Sequence, residues 1–96
     1  MLYKYEDIFL TSKVDEQELE ELENKKYQEA LNLGLSGFYL EEYVKAKVYE
    51  EIARRNLEAD GMQEKMDAYK QRAEEVYEIA KTKTPAGIGT MKIARE

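Results

Sequence analysis

The clearest pattern in the chain lies in its last third, where apolar residues recur at alternating steps of four and three. They are Met62, Met66, Tyr69, Ala73, Val76 and Ala80. This spacing places all six on one face of a helix, as in a coiled-coil seam. A helix is therefore predicted over about 62–83, and Pro85 disfavours helix at Thr84 and beyond.

A second long helix is predicted immediately before it, over about 38–60. Its apolar face gathers Tyr43, Ala46, Val48, Tyr49, Ile52, Ala53 and Leu57. Only Gly61 would then separate two long helices, which predicts an antiparallel helical hairpin. The first turn, Phe38, Tyr39 and Leu40, is apolar almost all round. We expect part of it to face another element or another chain.

An earlier helix, over about 16–33, is indicated by the residues at its start. Asp15 is placed to cap the amide of Glu18, and Glu18 to reach back, as in a capping box. Val14 and Leu19 occupy the positions of a hydrophobic staple. Gly34 is a natural stop.

The apolar face of this helix is less clean than that of the other two. We expect it to contain Leu19, Leu22, Tyr27, Ala30, Leu31 and Leu33. Glu23 and Lys26 intrude on it, so its first turns should be only partly buried. Ser36 is a candidate cap for the next helix.

These elements predict an all-α fold. It is a small bundle with a long antiparallel hairpin (about 38–60 and 62–83), a preceding helix and an extended C-terminal tail. An apolar cluster at the N-terminus predicts one more helical turn packed on the core. The chain divides into a helical domain, 1–84, and a C-terminal arm, 85–96.

The arm has a pattern of its own. Met91 and Ile93 alternate with Thr90 and Lys92, as in a short half-buried strand that needs a partner. The alternative is a frayed terminus. The residues predicted to bind a partner are Phe38, Tyr39, Leu40, Ile88, Met91, Lys92, Ile93 and Arg95.

Charge separates the arm from the body. The net charge of the chain is -6, but the segment 81–96 is positively charged. It contains Lys81, Lys83, Lys92 and Arg95 and a single acid, Glu96. The body should repel nucleic acid, whereas the arm should approach an acidic surface. No apolar run is long enough to span a bilayer, and the first residues do not form a signal peptide. We therefore expect a soluble, intracellular protein that does not bind membranes.

The composition removes most catalytic chemistry, because the chain contains neither His nor Cys. Disulfides, thiol nucleophiles, the usual zinc sites and the Glu-x-x-His di-iron motif are thereby excluded. Gly87-Ile-Gly89 is too short for a phosphate loop. Adjacent acids such as Glu74 and Glu75 diverge on a helix and do not form an acid/base pair. We predict no enzyme, no catalytic residue, no cofactor and no metal.

The acidic run 15–23 (DEQELEELE) has three explanations. It is the solvated start of a capped helix, a DNA-like surface that occupies the basic groove of a partner protein, or a cation site. The second explanation gives an alternative function, a small acidic inhibitor or regulatory protein.

The order of elements resembles that of the head–tail connector (adaptor) proteins of tailed phages. The corresponding stretches are Tyr43 to Asn56 (YVKAKVYEEIARRN), Gly61, Tyr69 to Glu75 (YKQRAEE) and the tail from Pro85. The likeness covers most of the chain and rests on element order and composition.

The resemblance implies a virion structural protein assembled in the host cytoplasm. It also implies a homo-oligomeric ring of about a dozen copies. The partners would be the portal and a tail-completion or head-closure protein, with the arm docking on a neighbouring subunit or on the portal.

Overall fold

The computed structural model describes residues 2–83, which form four α-helices. In chain order these are α1 (Ile8–Thr11), α2 (Glu16–Asn32), α3 (Gly37–Arg55) and α4 (Met62–Lys83). The central helix is α3, which packs against each of the other three. The predicted all-α bundle is confirmed. The predicted arm lies outside the described residues.

The hairpin of α3 and α4 is antiparallel and carries the most extensive helix–helix contact. Tyr43 lies beside Tyr77, and Tyr49 lies beside Tyr69, with ring centroids 6.5 and 4.5 Å apart. A later position on α3 thus meets an earlier position on α4. The predicted α4 seam is confirmed, because its members are buried or packed against the core.

The connection between these helices is longer than predicted, because α3 ends at Arg55 rather than near residue 60. The side-chain amide of Asn56 donates to the carbonyl of Ile52 at 2.7 Å, and its backbone N–H donates to Ala53. Asn favours such local bonds over a continued helix. Residues 56–61 therefore form the turn, and Leu57 leaves the predicted apolar face and is exposed.

The start of α2 agrees with its sequence signals. The Asp15 carboxylate accepts from the Glu18 amide at 2.8 Å, and Glu18 accepts from the Asp15 amide at 3.3 Å. Val14 and Leu19 are partly buried against the core. The predicted capping box is confirmed.

The buried face of α2 differs from the predicted one. Leu31 and Leu33 are exposed, so placing them on the apolar face was wrong. Leu19 in the first turn is only partly buried, as predicted, but Glu23 and Lys26 do not interrupt the face, because both are buried with Leu22 and Ala30. Glu23 finds its polar partners in the N-terminal segment, and Lys26 pairs with Glu29 at 3.6 Å.

Turns at both ends of α3 depend on glycine. Gly34 and Gly61 have φ of +85° and +81°, a region that side chains with a Cβ rarely adopt. Ser36 takes the predicted N-cap position of α3, although its side chain makes no capping hydrogen bond. The predicted N-terminal turn is confirmed as α1, capped by Asp7 and anchored by buried Leu10.

Candidate interaction surface

The predicted apolar turn at the start of α3 is divided between core and solvent. Phe38 is 66% exposed, Tyr39 is half-buried beneath its ring, and Leu40 lies in the core. Successive residues on a helix point about 100° apart, which forces this division. A partner can therefore reach Phe38 and Tyr39, whereas Leu40 holds the turn to the bundle.

Further apolar side chains lie exposed at the same end of the bundle. Leu31 and Leu33 close α2, and Ile79 lies in the last turns of α4; each is more than 40% exposed. The turn through Gly34 joins the end of α2 to the start of α3, and α4 runs toward the same end. We call Leu31, Leu33, Phe38 and Ile79 the apolar end.

A groove of about 230 Å³ lies beside the apolar end, between α3 and α4. Leu33, Tyr43, Ala73 and Tyr77 give it apolar walls. Lysines and one acid form the rest of its lining: Lys47, Lys70 and Glu74.

Lys47 lines the groove and at the same time pairs with an acid of its own helix. Its Nζ lies 3.1 Å from Oε1 of buried Glu50, without hydrogen-bond geometry, so the contact is an ion pair. Lys70 lies exposed at the groove.

Glu74 also borders a second, shallower depression on the outer side of α4. This depression, of about 470 Å³, is formed around Ile79 by Gln71, Glu74, Glu75 and Glu78. Lys81 approaches Glu78 at 3.5 Å, and both side chains are more than half exposed, so this ion pair adds little stability. The groove and the depression adjoin at Glu74, which lines both. Together they form one surface that contains apolar side chains and has an acidic outer edge.

The arm residues predicted to bind a partner, Ile88, Met91, Lys92, Ile93 and Arg95, lie outside the described residues. The described part of α4 extends to Lys83, at the apolar end. The chain therefore continues into the arm from the end of the bundle where Phe38 and Leu33 are exposed.

A polar network holds the N-terminal segment near the opposite end of the hairpin. The Tyr49 hydroxyl accepts from the amides of Glu6 (2.8 Å) and Asp7 (3.1 Å). Asp7 Oδ2 accepts from Lys65 Nζ (2.9 Å) and the Tyr69 hydroxyl (2.6 Å). The segment is thereby fastened to α3 and α4 together.

A second carboxylate fastens the same segment to α2. Oε1 of buried Glu23 accepts from the Tyr3 amide at 2.6 Å and from the Tyr5 hydroxyl at 2.8 Å. The Tyr5 ring also meets Tyr49 edge-on at 5.6 Å. Three helices thus hold five residues of irregular chain.

The protonation states of this network suit a structural role. Burial opposes ionisation of Asp7, but hydrogen bonds from Tyr69, Lys65 and the Leu10 amide outweigh it and lower its pKa. Burial and the bond to Glu23 raise the pKa of Tyr5, and burial and the bond to Asp7 raise that of Tyr69. The acid stays charged and both phenols stay protonated near neutral pH.

A cleft of about 220 Å³ opens beside this network. Its charged lining includes Glu42, whose carboxylate contacts Arg72 at 3.0 Å and Lys45 at 3.4 Å. Asp7, the most buried acid at the cleft, already accepts three hydrogen bonds. The donors of these three bonds hold Asp7 in place as a carboxylate at the edge of the cleft.

Within residues 2–83, no cluster of three or more acidic, His or Cys side chains is placed to hold a metal ion. None of the helices in that range has both the length and the apolarity needed to cross a bilayer.

Sequence reasoning missed the polar network and the groove. The one available signal was the set of tyrosines on apolar faces, because a buried Tyr needs a partner for its hydroxyl. That partner for Tyr5, Glu23, was misinterpreted as an interruption of the apolar face.

Comparison with family models, with curated proteins and with solved structures gave no match to this chain. The interaction surface must therefore be interpreted from its own chemistry.

Proposed function

We propose that this protein is a structural assembly protein of the head–tail connector kind, which forms an oligomeric ring against a portal. The observation that carries the proposal is the apolar end, where exposed Leu31, Leu33, Phe38 and Ile79 adjoin the point at which the chain continues into the arm. Apolar side chains grouped in this way gain stability when a protein partner covers them.

The chemistry of the polar groups favours assembly over catalysis. Glu23 is buried and Asp7 is partly buried, and both are bonded within the fold, where they organise the N-terminal segment. Within residues 2–83, four of the seven exposed large apolar side chains form the apolar end, while Ile8, Phe9 and Leu57 are exposed in α1 and in the turn between α3 and α4. The best-formed polar site thus stabilises the body, and the apolar end is left to meet other chains.

In the proposed assembly, each copy presents its apolar end to a neighbour and extends its arm onto an adjacent subunit or the portal. The arm residues expected to make this contact are three apolar and two basic ones: Ile88, Met91, Lys92, Ile93 and Arg95. A tail-completion or head-closure protein would occupy the other side of the ring. Such a protein would belong to the virion after assembly in the host cytoplasm.

Removal of residues 86–96 tests the proposal. Circular dichroism should show that helicity is retained, because the four described helices lie within residues 8–83. Light scattering over a range of concentrations, with and without a candidate portal, should show that assembly is lost. A matched control keeps the arm's length and exchanges Thr90 for Ser, which should leave assembly unchanged.

Two results would contradict the proposal. One is a truncated chain that assembles as the full chain does. The other is a full chain that stays monomeric at every concentration and ignores the portal.

A second candidate function is an acidic inhibitor of a protein with a basic groove. The observation that favours it is that Glu16, Glu20 and Glu21 are exposed on α2. Changing these three to Gln should abolish binding to a basic partner and its salt dependence. Under the connector proposal, the same change leaves ring formation intact.

A further inference from the structure

We infer that the groove between α3 and α4, together with the adjoining depression around Ile79, receives the arm of a second copy of this chain. We call this surface the α4 docking surface; it is lined by Leu33, Tyr43, Lys47, Lys70, Gln71, Ala73, Glu74, Glu75, Tyr77, Glu78 and Ile79. Its two lysines lie on the groove side and its three acids on the outer side of α4. The inference rests on the proposed function and deepens it by naming the surface that the arm binds.

The shape and polarity of the surface fit an extended apolar segment. The groove has room between Leu33, Tyr43 and Tyr77 for apolar side chains, and Ile79 extends this character to the outer side of α4. The arm supplies Ile88, Met91 and Ile93. Burying a side chain of this size stabilises a contact substantially.

Charge complementarity favours the arm as the segment that binds this surface. Its outer edge carries Glu74, Glu75 and Glu78. Residues 84–96 contain Lys92 and Arg95 against the single acid Glu96. The arm therefore combines apolar side chains with an excess of positive charge, whereas the start of α2 is strongly acidic and would be repelled.

The length of the arm allows it to reach a neighbour. Residues 84–96 are thirteen in number, and an extended chain advances about 3.3 Å per residue, so the arm spans up to roughly 40 Å. The part of α4 that forms the docking surface, from Gln71 to Ile79, is only about 12 Å long at 1.5 Å per residue. The arm can leave one body and still cover this surface on the next.

The size of the apolar end favours a second copy over the chain's own arm. Its four exposed side chains lie on three different helices, and one arm has three large apolar residues. A neighbouring body is needed to cover Phe38 while its arm occupies the groove. The arm of one copy and the groove of the next are different surfaces, so their contact is heterologous. Heterologous contacts form a ring when the rotation between copies closes.

Disulfide cross-linking tests the inference directly, because the chain has no Cys of its own. One chain carries Gln71→Cys, at the edge of the docking surface, and a second, tagged chain carries Thr90→Cys in the arm. Both substitutions retain the three acids, Ile79 and the apolar arm residues. Mixing the two under mild oxidation should give a cross-linked heterodimer. Gln17→Cys, exposed on α2, is the matched control and should cross-link far less.

The same pair of substitutions distinguishes the source of the arm. A single chain that carries both should form cross-linked dimers and larger species. If it instead closes only on itself at every concentration, the arm docks on its own body and the inference is overturned. Cross-linking no greater than with Gln17→Cys would also overturn it.

Charge reversal provides a second, independent measurement. Glu74→Lys with Glu78→Lys should weaken cross-linking about tenfold, because like charges would then meet. Lys92→Glu with Arg95→Glu in the partner chain should restore it. Failure of this restoration, with both variants folded by circular dichroism, contradicts the charge pairing.

These experiments distinguish failure of the α4 docking surface from failure of the proposed function. If the full chain assembles and loses assembly on removal of 86–96, yet Gln71 never cross-links to Thr90, the proposed function stands and the α4 docking surface is rejected. If the full chain never assembles, both are rejected.

Discussion

Tyr49 combines two kinds of interaction in one side chain. Its ring packs between those of Tyr5 and Tyr69, and its hydroxyl accepts from the amides of Glu6 and Asp7. A Phe would keep the packing but leave two backbone donors without this acceptor. The contribution of the oxygen can therefore be measured separately from that of the ring.

We predict that Tyr49→Phe lowers the free energy of unfolding by about 1–3 kcal/mol, the cost of leaving buried polar groups unpaired. Urea denaturation followed by circular dichroism measures it. Tyr39→Phe is the matched control, since the Tyr39 ring lies at the half-exposed start of α3, and it should change stability little. Equal midpoints for the two variants would show that water replaces the hydroxyl at no cost.

At the scale of single residues, the sequence predicted apolar positions better than polar ones. Met62 and Ala73 were placed correctly because their spacing alone defines a face. Glu23 and Lys26 were expected to reduce burial, yet both are buried. Whether a charged residue on an apolar face is exposed or hydrogen-bonded depends on what packs against it. Glu23 packs against the N-terminal segment, whose donors to it lie eighteen and twenty residues away along the chain.

The helical elements depend on how their ends are formed. Between α3 and α4, Asn56 ends one helix with a bond to the carbonyl of Ile52, and Gly61 begins the next with a φ of +81°. A Cβ at Gly61 would meet no atom within 4 Å, so any cost of substitution there comes from backbone conformation and not from collision.

We predict that Gly61→Ala destabilises the protein by about 1–2 kcal/mol, the cost of holding an ordinary residue in the left-handed region. Gly61→Asn should cost less, because Asn tolerates that region through local hydrogen bonds. Thermal unfolding of the two variants measures the difference. An Ala variant as stable as the parent would mean that the turn relaxes to negative φ.

Helix starts and stops were predictable to different degrees. The capping box of Asp15 and Glu18 was found from sequence because both partners lie within one turn. The end of α3 was misplaced by five residues because Gly61 is a stronger stop signal than Asn56. The apolar pattern also continued through Leu57, although the chain has already turned there.

At the scale of the whole molecule, the N-terminal segment connects all the large helices. Glu23 of α2, Tyr49 of α3, and Lys65 and Tyr69 of α4 each bind it. Asp7 is the point at which the segment meets α4. Since it is held as a carboxylate, its contribution to stability must depend on pH.

We predict that Asp7→Asn destabilises the protein at neutral pH by about 1–3 kcal/mol, as expected for lost hydrogen bonds to a charged group. The folded-state pKa of Asp7 lies below its ordinary value of 3.8. Its contribution is therefore full above about pH 5 and is lost as the pH falls through the folded-state pKa. The stability difference should shrink toward acid pH.

Urea titrations of the parent and the variant at a series of pH values measure this difference. Asp67→Asn is the control, because Asp67 is exposed and bonds only Gln63 on its own helix, and it should have little effect at any pH. A difference for Asp7→Asn that does not vary with pH would contradict the assignment of Asp7 as the ionised acceptor.

The architecture of the bundle was predictable, but its surfaces were not. Periodicity specifies which residues of each helix face inward, and this was enough to predict the antiparallel hairpin. The groove beside Tyr77 depends on how the end of α2 meets α3 and α4, and no local pattern reports that arrangement. For the same reason, Leu33 was predicted in the core and lies instead at the edge of the groove.

The hydrogen bonds of Asp7 also determine when the N-terminal segment can be fixed to α4 during synthesis of the chain. Its partners Lys65 and Tyr69 follow it by 58 and 62 positions, so they leave the ribosome long after it does. At about 5–20 residues per second, the wait is roughly 3–12 s. During that interval Tyr3 and Tyr5 can already bind Glu23, but the segment cannot be locked until α4 emerges. The contact between the N-terminal segment and α4 therefore forms only after Lys65 and Tyr69 have been synthesised.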